Sequence, residues 1–448
     1  MATNDTRLLQ IVHFTDMTRW SAHCSAFGNV KSRFPLVPLS AILKRIKEPI
    51  FIEDGVLYRR ITVRNNGRGV VQRDELLGSE IGTKRQFVAH AGQFIISRID
   101  ARNGAFGIVP KDLEGAVVTN DFWLFEVQKA LPQYLMLLLS TKRFQLYWQS
   151  QSNGSTNRQR VAEDEFLHSE IVLPSIKEQG KLIKAYNDAK RKADRLDEHT
   201  KRLIHEMDKK IESALGISYS SVEVEHLLAR VSFSCLSRWD PIYLSRRIIV
   251  RSSYSMVPIA KVIKNFLVDQ DGKPLRRNVK EIKGKYFQYI GMENIARDTG
   301  KRIERIVEGS EILSQIHSVP EGYVLYGKLR PYLNKYWENT TKDKNIICSS
   351  EFLVFNTTGV ERKYFMAILA SHVIQNQLPP LYSGARMPRI SDESFLNLQI
   401  PLPPKHVQKE IAAICGRIRK EVDSLREKAY EVRQQANNHF ENTIFDEA

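Results

Sequence analysis

A chain of 448 residues is too long for one hydrophobic core of ordinary size, so two or three domains are expected. Its 42% hydrophobic residues exclude a disordered protein. Sixty-seven Lys and Arg against 51 Asp and Glu leave a net charge of +16, which favours a polyanionic partner, nucleic acid being the commonest.

Taken in order, the chain opens on an Arg-Trp pair, Arg19-Trp20, and then LVPLSAILKRI from Leu36, where a Val-Pro precedes an apolar helix start. GQFIISRID from Gly92 and VTNDFWLFEV from Val118 alternate apolar and polar residues with aromatic and β-branched side chains, the pattern of strands. QYLMLLLS from Gln133 reads as a short apolar helix, and SNGSTNRQRVAEDEFLHSEIVLPS closes the segment at a proline. Next comes Ile176 to Leu215, with no proline and one glycine near its start. Ala193, Thr200 and Met207 recur every seven residues beside the companion row Leu196 and Leu203, the seam of a coiled coil. Such a rod would be about 60 Å long and too polar to stand alone.

The same series then runs again. Arg238-Trp239, MVPIAKVIKNF from Met256, GYVLYGKLRPYLNK from Gly322, CSSEFLVFNT from Cys348, KYFMAILA from Lys363 and YSGARMPRISDESFLNLQIPLPP from Tyr382 follow in that order. The offset begins at 219, reaches 230 and returns to 229. It sets Arg98 opposite Lys328, Asp121 opposite Glu351, Arg160 opposite Arg389 and Gln179 opposite Gln408. Lys405 to Phe445 closes the chain as a second heptad helix, with Ile418, Leu425 and Val432 in one row and Val422, Ala429 and Ala436 in the other.

The reading is therefore a mixed α+β chain. Two similar α/β domains, 1–172 and 218–402, alternate with spacer helices at 173–217 and 403–448, and 216–237 serves as the linker into the second domain. The helices are expected to pair as an antiparallel coiled coil, giving a pseudo-two-fold object. Basic residues interleaved with tyrosines suit DNA: Arg59, Arg60, Arg64, Arg68, Arg98, Arg102, Arg158 and Arg160 in the first domain, and Lys283, Lys285, Lys328, Arg330, Lys335, Arg386 and Arg389 in the second. Any one of them alone reads better as a solvated surface charge; the repeated pattern carries the argument. Two readers held a fixed distance apart predict a bipartite target with an unread middle.

Signals for chemistry are weak. Gly322 to Lys328 fits the start of a phosphate-binding loop, but Leu329 replaces the required Ser or Thr, and a strand is the better reading. Asp269, Asp271, Glu281 and Lys283 loosely match a metal-dependent nuclease, although Asp271-Gly272-Lys273-Pro274 is also a good turn. Histidines show no ligand spacing, and Cys24, Cys235, Cys348 and Cys415 are too scattered for a zinc site or a disulfide framework. Leu378 to Leu381 and Leu402 to Pro404 lack the acid or amide of an adenine-methylating motif. No run approaches about 18 apolar residues, and the first ten residues hold no signal region. A cytoplasmic chain with no membrane contact, no catalytic centre and no metal or cofactor of its own is expected.

Ser237-Arg238-Trp239-Asp240-Pro241, the Gly322 segment, Arg389 to Pro404, Gln408 and their weaker first-half copies together resemble the DNA-specificity subunit of a Type I restriction-modification system. The resemblance spans essentially the whole chain. It implies two target-recognition domains, each reading half of an asymmetric bipartite sequence in double-stranded DNA, with the helices as spacer. Two modification subunits would dock on those helices and methylate adenine with S-adenosylmethionine. Two restriction subunits would supply ATP-dependent, Mg²⁺-assisted translocation and cleavage. The first domain departs from the pattern, with Ser97-Arg98-Ile99-Asp100 in place of GKLRP and SNGSTNRQR in place of SGARMPR, as expected of recognition domains that diverge with their targets. Competing readings are a specificity subunit of another methylation or phage-defence assembly, a self-contained nuclease built on Asp271, Glu281 and Lys283, and a helical protein scaffold.

Overall fold

The computed structural model describes residues 32–65, 67–99, 103–145, 163–223, 246–278, 281–384 and 386–445. Both Arg-Trp pairs, Arg102, Arg158 and Arg160 lie outside them. The chain forms two compact units, Met1–Asp197 with Glu427–Ala448, and Glu198–Arg426.

The first unit holds a four-stranded antiparallel sheet in the order Leu43–Ile46, Phe122–Val127, Phe94–Ser97, Phe106–Ile108. A five-stranded sheet runs Pro49–Phe51, Arg85–Ala89, Ala116–Val118, Leu57–Val63, Val70–Leu77, and its one parallel pair is Leu57–Val63 with Ala116–Val118. Trp123, Phe125, Phe94 and Phe166 fill the core beside the short helix Pro132–Leu139, whose Tyr134 and Leu138 are fully buried.

The second unit repeats this strand for strand. Its four-stranded sheet is Ile263–Lys264, Phe352–Thr357, Val324–Gly327, Tyr336–Glu338, and its five-stranded sheet is Arg276–Arg277, Ile316–Ser318, Ile346–Ser349, Tyr286–Ile290, Ile306–Glu308. Again one pair is parallel, Tyr286–Ile290 with Ile346–Ser349. The expected equivalences hold at the level of single bonds. Arg98 N donates to Asp121 O and Lys328 N to Glu351 O, both at 2.8 Å. Tyr134 Oη donates to Val172 O and Tyr364 Oη to Pro401 O, both at 2.7 Å. Burial pushes both phenols up, since a phenolate there would lose its hydration.

Two expectations need correction. The segments after Val37-Pro38 and Val257-Pro258 are not helix starts: a single 3-10 turn, Leu39–Ala41 or Ile259–Lys261, passes directly into a strand. Leu39 N donates to Ser169 O, and Ile42 O accepts from Gln128 N, so the backbone groups a helix would need are taken by neighbouring strands and turns. The stretch assigned to a linker begins as the strand Ser218–Glu223, paired with Arg246–Arg251; the rest of it, 224–237, is outside the described residues.

The helices Ile176–Leu215 and Lys405–Ile444 have 40 residues each. Prolines precede both, and Gly216 ends the first in a left-handed turn (φ +59°), with Ile217 N reaching back to Glu212 O at 2.8 Å. In the first unit the opening of one helix lies beside the end of the other. Tyr186 and Phe440 meet edge to face at 6.5 Å, and Arg433 reaches Asp194 at 2.9 Å and Asp197 at 2.6 Å. In the second unit Met207, Ile211 and Leu215 share a core with Ile411, Ala412 and Cys415. The pairing is thus antiparallel within each unit. Ala193, Thr200, Met207, Val422 and Ala429 are buried along the seam, and Leu196, Leu203, Ile418, Leu425, Val432 and Ala436 are half-buried. Each unit also ties down a helix end in the same way: Ser32 Oγ donates to Ile444 O and Ser252 Oγ to Leu215 O, both at 2.6 Å. Among the described residues no helix is long and apolar enough to cross a membrane.

Candidate nucleic-acid interface

In the second unit four of the anticipated cations come together where the closing arm lies across a strand end. The strand Val324–Gly327 runs out into Lys328, whose carbonyl accepts from Ile390 N at 3.1 Å, while Arg330 N donates to Pro388 O at 2.7 Å. Arg389 grips Glu351 through Nη2 at 2.7 Å and Nε at 3.0 Å, which raises its affinity for its proton further. Lys328 Nζ stands 3.5 Å from Asp392. Arg330 and Asn334 both have left-handed backbone (φ +49° and +47°) on either side of the turn Pro331–Leu333; the Arg330 side chain is exposed and that of Asn334 is buried. Arg386 is exposed, and the rings of Tyr332 and Tyr382 meet at 6.2 Å.

Two residues that sequence reasoning passed over belong here. Arg276 pairs with His317 across neighbouring strands, and burial, then the charges of Lys328 and Arg276, push the His317 imidazole down. The dibasic Arg276-Arg277 after a Gly-Lys-Pro turn was a visible signal. Lys283 and Lys285 are exposed at another corner, where Lys285 O accepts from Gly309 N. Lys335 turns inward: its ammonium donates to Met292 O, and burial lowers its pKa.

The first unit places Arg98 at the corresponding strand end, its guanidinium 5.4 Å over the Trp123 ring. Arg45 takes Glu163 at 3.1 Å, and among the described residues no acceptor reaches the buried Arg98 Nε. Arg64 and Arg68 are exposed in the turn before Val70, and Gly67 N bonds Gly104 O at 2.8 Å, tying that turn to the loop after Arg98. By contrast, Arg59 donates to Asp112 O and Glu114 O, both at 2.7 Å, and Arg60 clasps Asp74 through two 2.7 Å bonds that hold the carboxyl below its usual range. Those two arginines are committed to the fold.

The residues weighed for chemistry sit otherwise. Asp269 Oδ1 accepts from Asp271 N and Lys273 N, both at 2.9 Å, so these two acids shape a turn. Val324–Gly327 form a buried strand, with Tyr323 buried just before it, rather than a loop of exposed amides. Among the described residues no group of three or more His, Cys, Asp or Glu is placed to hold a metal ion.

The family model of the Type I restriction modification DNA specificity domain matches this sequence twice, at residues 46–213 and 266–433. The chain belongs to that family. The two matches start 220 residues apart, as the Val-Pro pairs do, and each takes in most of one domain and one long helix. A chain from a study of complex assembly and conformational transition of the type I R-M system is 15% identical, over 94% of this chain and 100% of that one, with a TM-score of 0.50; it shares the fold. The HsdS subunit from Thermoanaerobacter tengcongensis is 16% identical, with 93% and 98% covered and a TM-score of 0.38. The S subunit of the Type-I restriction-modification system from M. genitalium is 10% identical, with 94% and 98% covered and a TM-score of 0.39. No curated protein matches the sequence.

Among the described residues of these specificity domains, some cations are paired within the chain and others, Arg330 and Arg386, show no such pairing. Alanine at Arg330 or Arg386 is expected to lower the slope of log K against log salt for duplex binding by about 1 each, with the fold intact. Lys335→Ala should leave that slope unchanged, because its ammonium is spent on Met292 O. Equal slope changes for all three would contradict the division. Arg389→Ala should cost no more than about 1 kcal/mol of stability, since the Arg389–Glu351 pair is partly solvated.

Proposed function

We propose that the chain is the DNA-reading subunit of a Type I restriction-modification complex, each unit reading one half of a bipartite duplex target. The observation that carries this is the recurrence of one domain-plus-helix design with a cation at the same strand end, Arg98 in one copy and Lys328 in the other. The paired helices set the interval and offer docking surface to two modification subunits, which in turn recruit two restriction subunits. Methylation with S-adenosylmethionine and cleavage with ATP and Mg²⁺ reside in those partners, in the cytoplasm; this chain contributes recognition.

Mapping methyladenine across the genomes of a host and of a strain lacking the gene tests the reading. A two-part motif with a fixed unread gap should vanish in the deletion strain; an unchanged methylation pattern, or loss of a contiguous motif, would sink it. Inserting four residues into both helices at matching positions should widen the gap and leave both half-sites alone. The rise is about 6 Å, close to two base-pair steps of about 3.4 Å. A change in half-site sequence would show that the helices do more than measure.

A further inference from the structure

A cavity of about 660 Å³ opens in the second unit between its share of the two long helices and its sheets. That is a volume usual for small-molecule sites. Three of its wall residues, Thr200, Asp208 and Asn334, are polar and only 4% exposed. Asn334 Nδ2 donates to Ala370 O at 2.8 Å, but among the described residues no partner reaches the buried Asn334 Oδ1 or Thr200 Oγ1. Each such atom costs about 1–3 kcal/mol unless something in the cavity meets it.

The charged groups divide the cavity. Arg419 lies 5.6 Å over the Tyr336 ring with Nη2 on Met366 O at 3.1 Å, Arg426 and Asp423 line the same wall, and Arg297 pairs with Asp298 at 2.8 Å. Three cations against two carboxylates leave this end net positive, which suits an anion. The Asp208 carboxylate accepts from His372 N at 3.3 Å and has the His372 ring nitrogen Nε2 3.4 Å from its other oxygen; its remaining lone pairs, with the unmet Asn334 Oδ1, suit N–H donors.

The internal repeat shows that the fold does not need these groups. With the two helices in the register set by Gln179 and Gln408, the first unit has Ala429 for Thr200, Asn437 for Asp208, Lys190 for Arg419 and Asp197 for Arg426. Its Asp197 is taken by Arg433, as part of the helix pairing. The set occurs once, in a duplicated scaffold that folds without it.

We propose that this cavity is a binding site for a nucleoside phosphate, with the phosphate against Arg419 and Arg426 and the base's N–H groups against Asn334 Oδ1 and Asp208. An inorganic anion answers only the arginines, and an amino acid leaves most of the volume unfilled. Thr200 lies in the helix seam, so occupancy stiffens the helix pair within this unit.

The test is equilibrium dialysis of the full chain, without DNA, against the four nucleoside monophosphates AMP, GMP, CMP and UMP, with inorganic phosphate and the free nucleosides as half-ligands. At least one monophosphate should bind saturably and at least tenfold tighter than either of its halves. Arg426→Gln should weaken it at least tenfold, and Thr200→Val, which removes only the hydroxyl oxygen's bonding, severalfold, both with the thermal unfolding of the free chain retained. Absence of saturable binding by all four, phosphate binding as tightly as the best nucleotide, or undiminished affinity in folded Arg426→Gln would each overturn the assignment. Because no DNA is present, failure here leaves the proposed reading of DNA standing.

Discussion

Replacing Gln408 by leucine should destabilise the second unit by about 3–5 kcal/mol. The side chain is buried; its Nε2 donates to Pro403 O at 2.8 Å and its Oε1 accepts from Glu361 N at 2.7 Å. One amide thus closes the first turn of the long helix onto the proline that launches it, and also fixes the residue before the short buried helix Arg362–Ala370. Leucine fills the space but leaves a half-buried N–H and a buried C=O unmet, each worth about 1–3 kcal/mol. Gln179 does the same in the first unit, with Pro174 O at 2.8 Å and Leu131 N at 2.8 Å. Denaturant titration followed by signals local to each unit should show Gln408→Leu shifting one transition and Gln179→Leu the other, with near-additive effects in the double variant. Unchanged midpoints would mean that water satisfies these backbone groups and that the glutamines are dispensable.

These two glutamines were legible in the sequence as a matched pair, and so were the heptads, the proline entries and the opposition of Arg98 to Lys328. Those features repeat, and a repeat tells position without requiring knowledge of contacts. What stayed hidden depended on neighbours distant in the chain. LVPLSAILKRI has an apolar spacing that suits a helix, yet Ser169 and Gln128 claim its backbone and draw it into strands. Arg59, Arg60 and Lys335 carry the same charge as Arg330 and Arg386. Only the fold shows that the first three meet carbonyls or a carboxylate of their own chain. Composition reports how many cations there are; which remain available is decided by whether an acceptor lies within about 3 Å.

A further repeated element, a glycine turn, supplies the second large effect: Gly309→Ala should cost the second unit about 2–4 kcal/mol. Gly-Ser-Glu-Ile occurs at 78–81 and again at 309–312, and each copy forms a 3-10 turn, Gly78–Glu80 and Gly309–Glu311. A Cβ at Gly309 would sit 2.0 Å from Ile282 O and 2.6 Å from its carbonyl carbon; at Gly78 the distances to Glu53 are 2.0 Å and 2.7 Å. The obstruction is backbone, so no side chain can swing aside. Relief requires opening the corner, which strains or breaks the bond from Gly309 N to Lys285 O at 2.9 Å. Overpacking of about 1–3 kcal/mol and loss of that bond, about 0.5–1.5 kcal/mol, combine to the expected figure. Gly416 provides a control of opposite sign. It lies inside the helix Lys405–Ile444, where an added Cβ would meet nothing within 4 Å, so alanine there should stabilise by about 0.5–1 kcal/mol. If both substitutions moved the second unit's unfolding midpoint the same way, the glycine at 309 would be answering to chain flexibility, and close backbone approach would not be its reason.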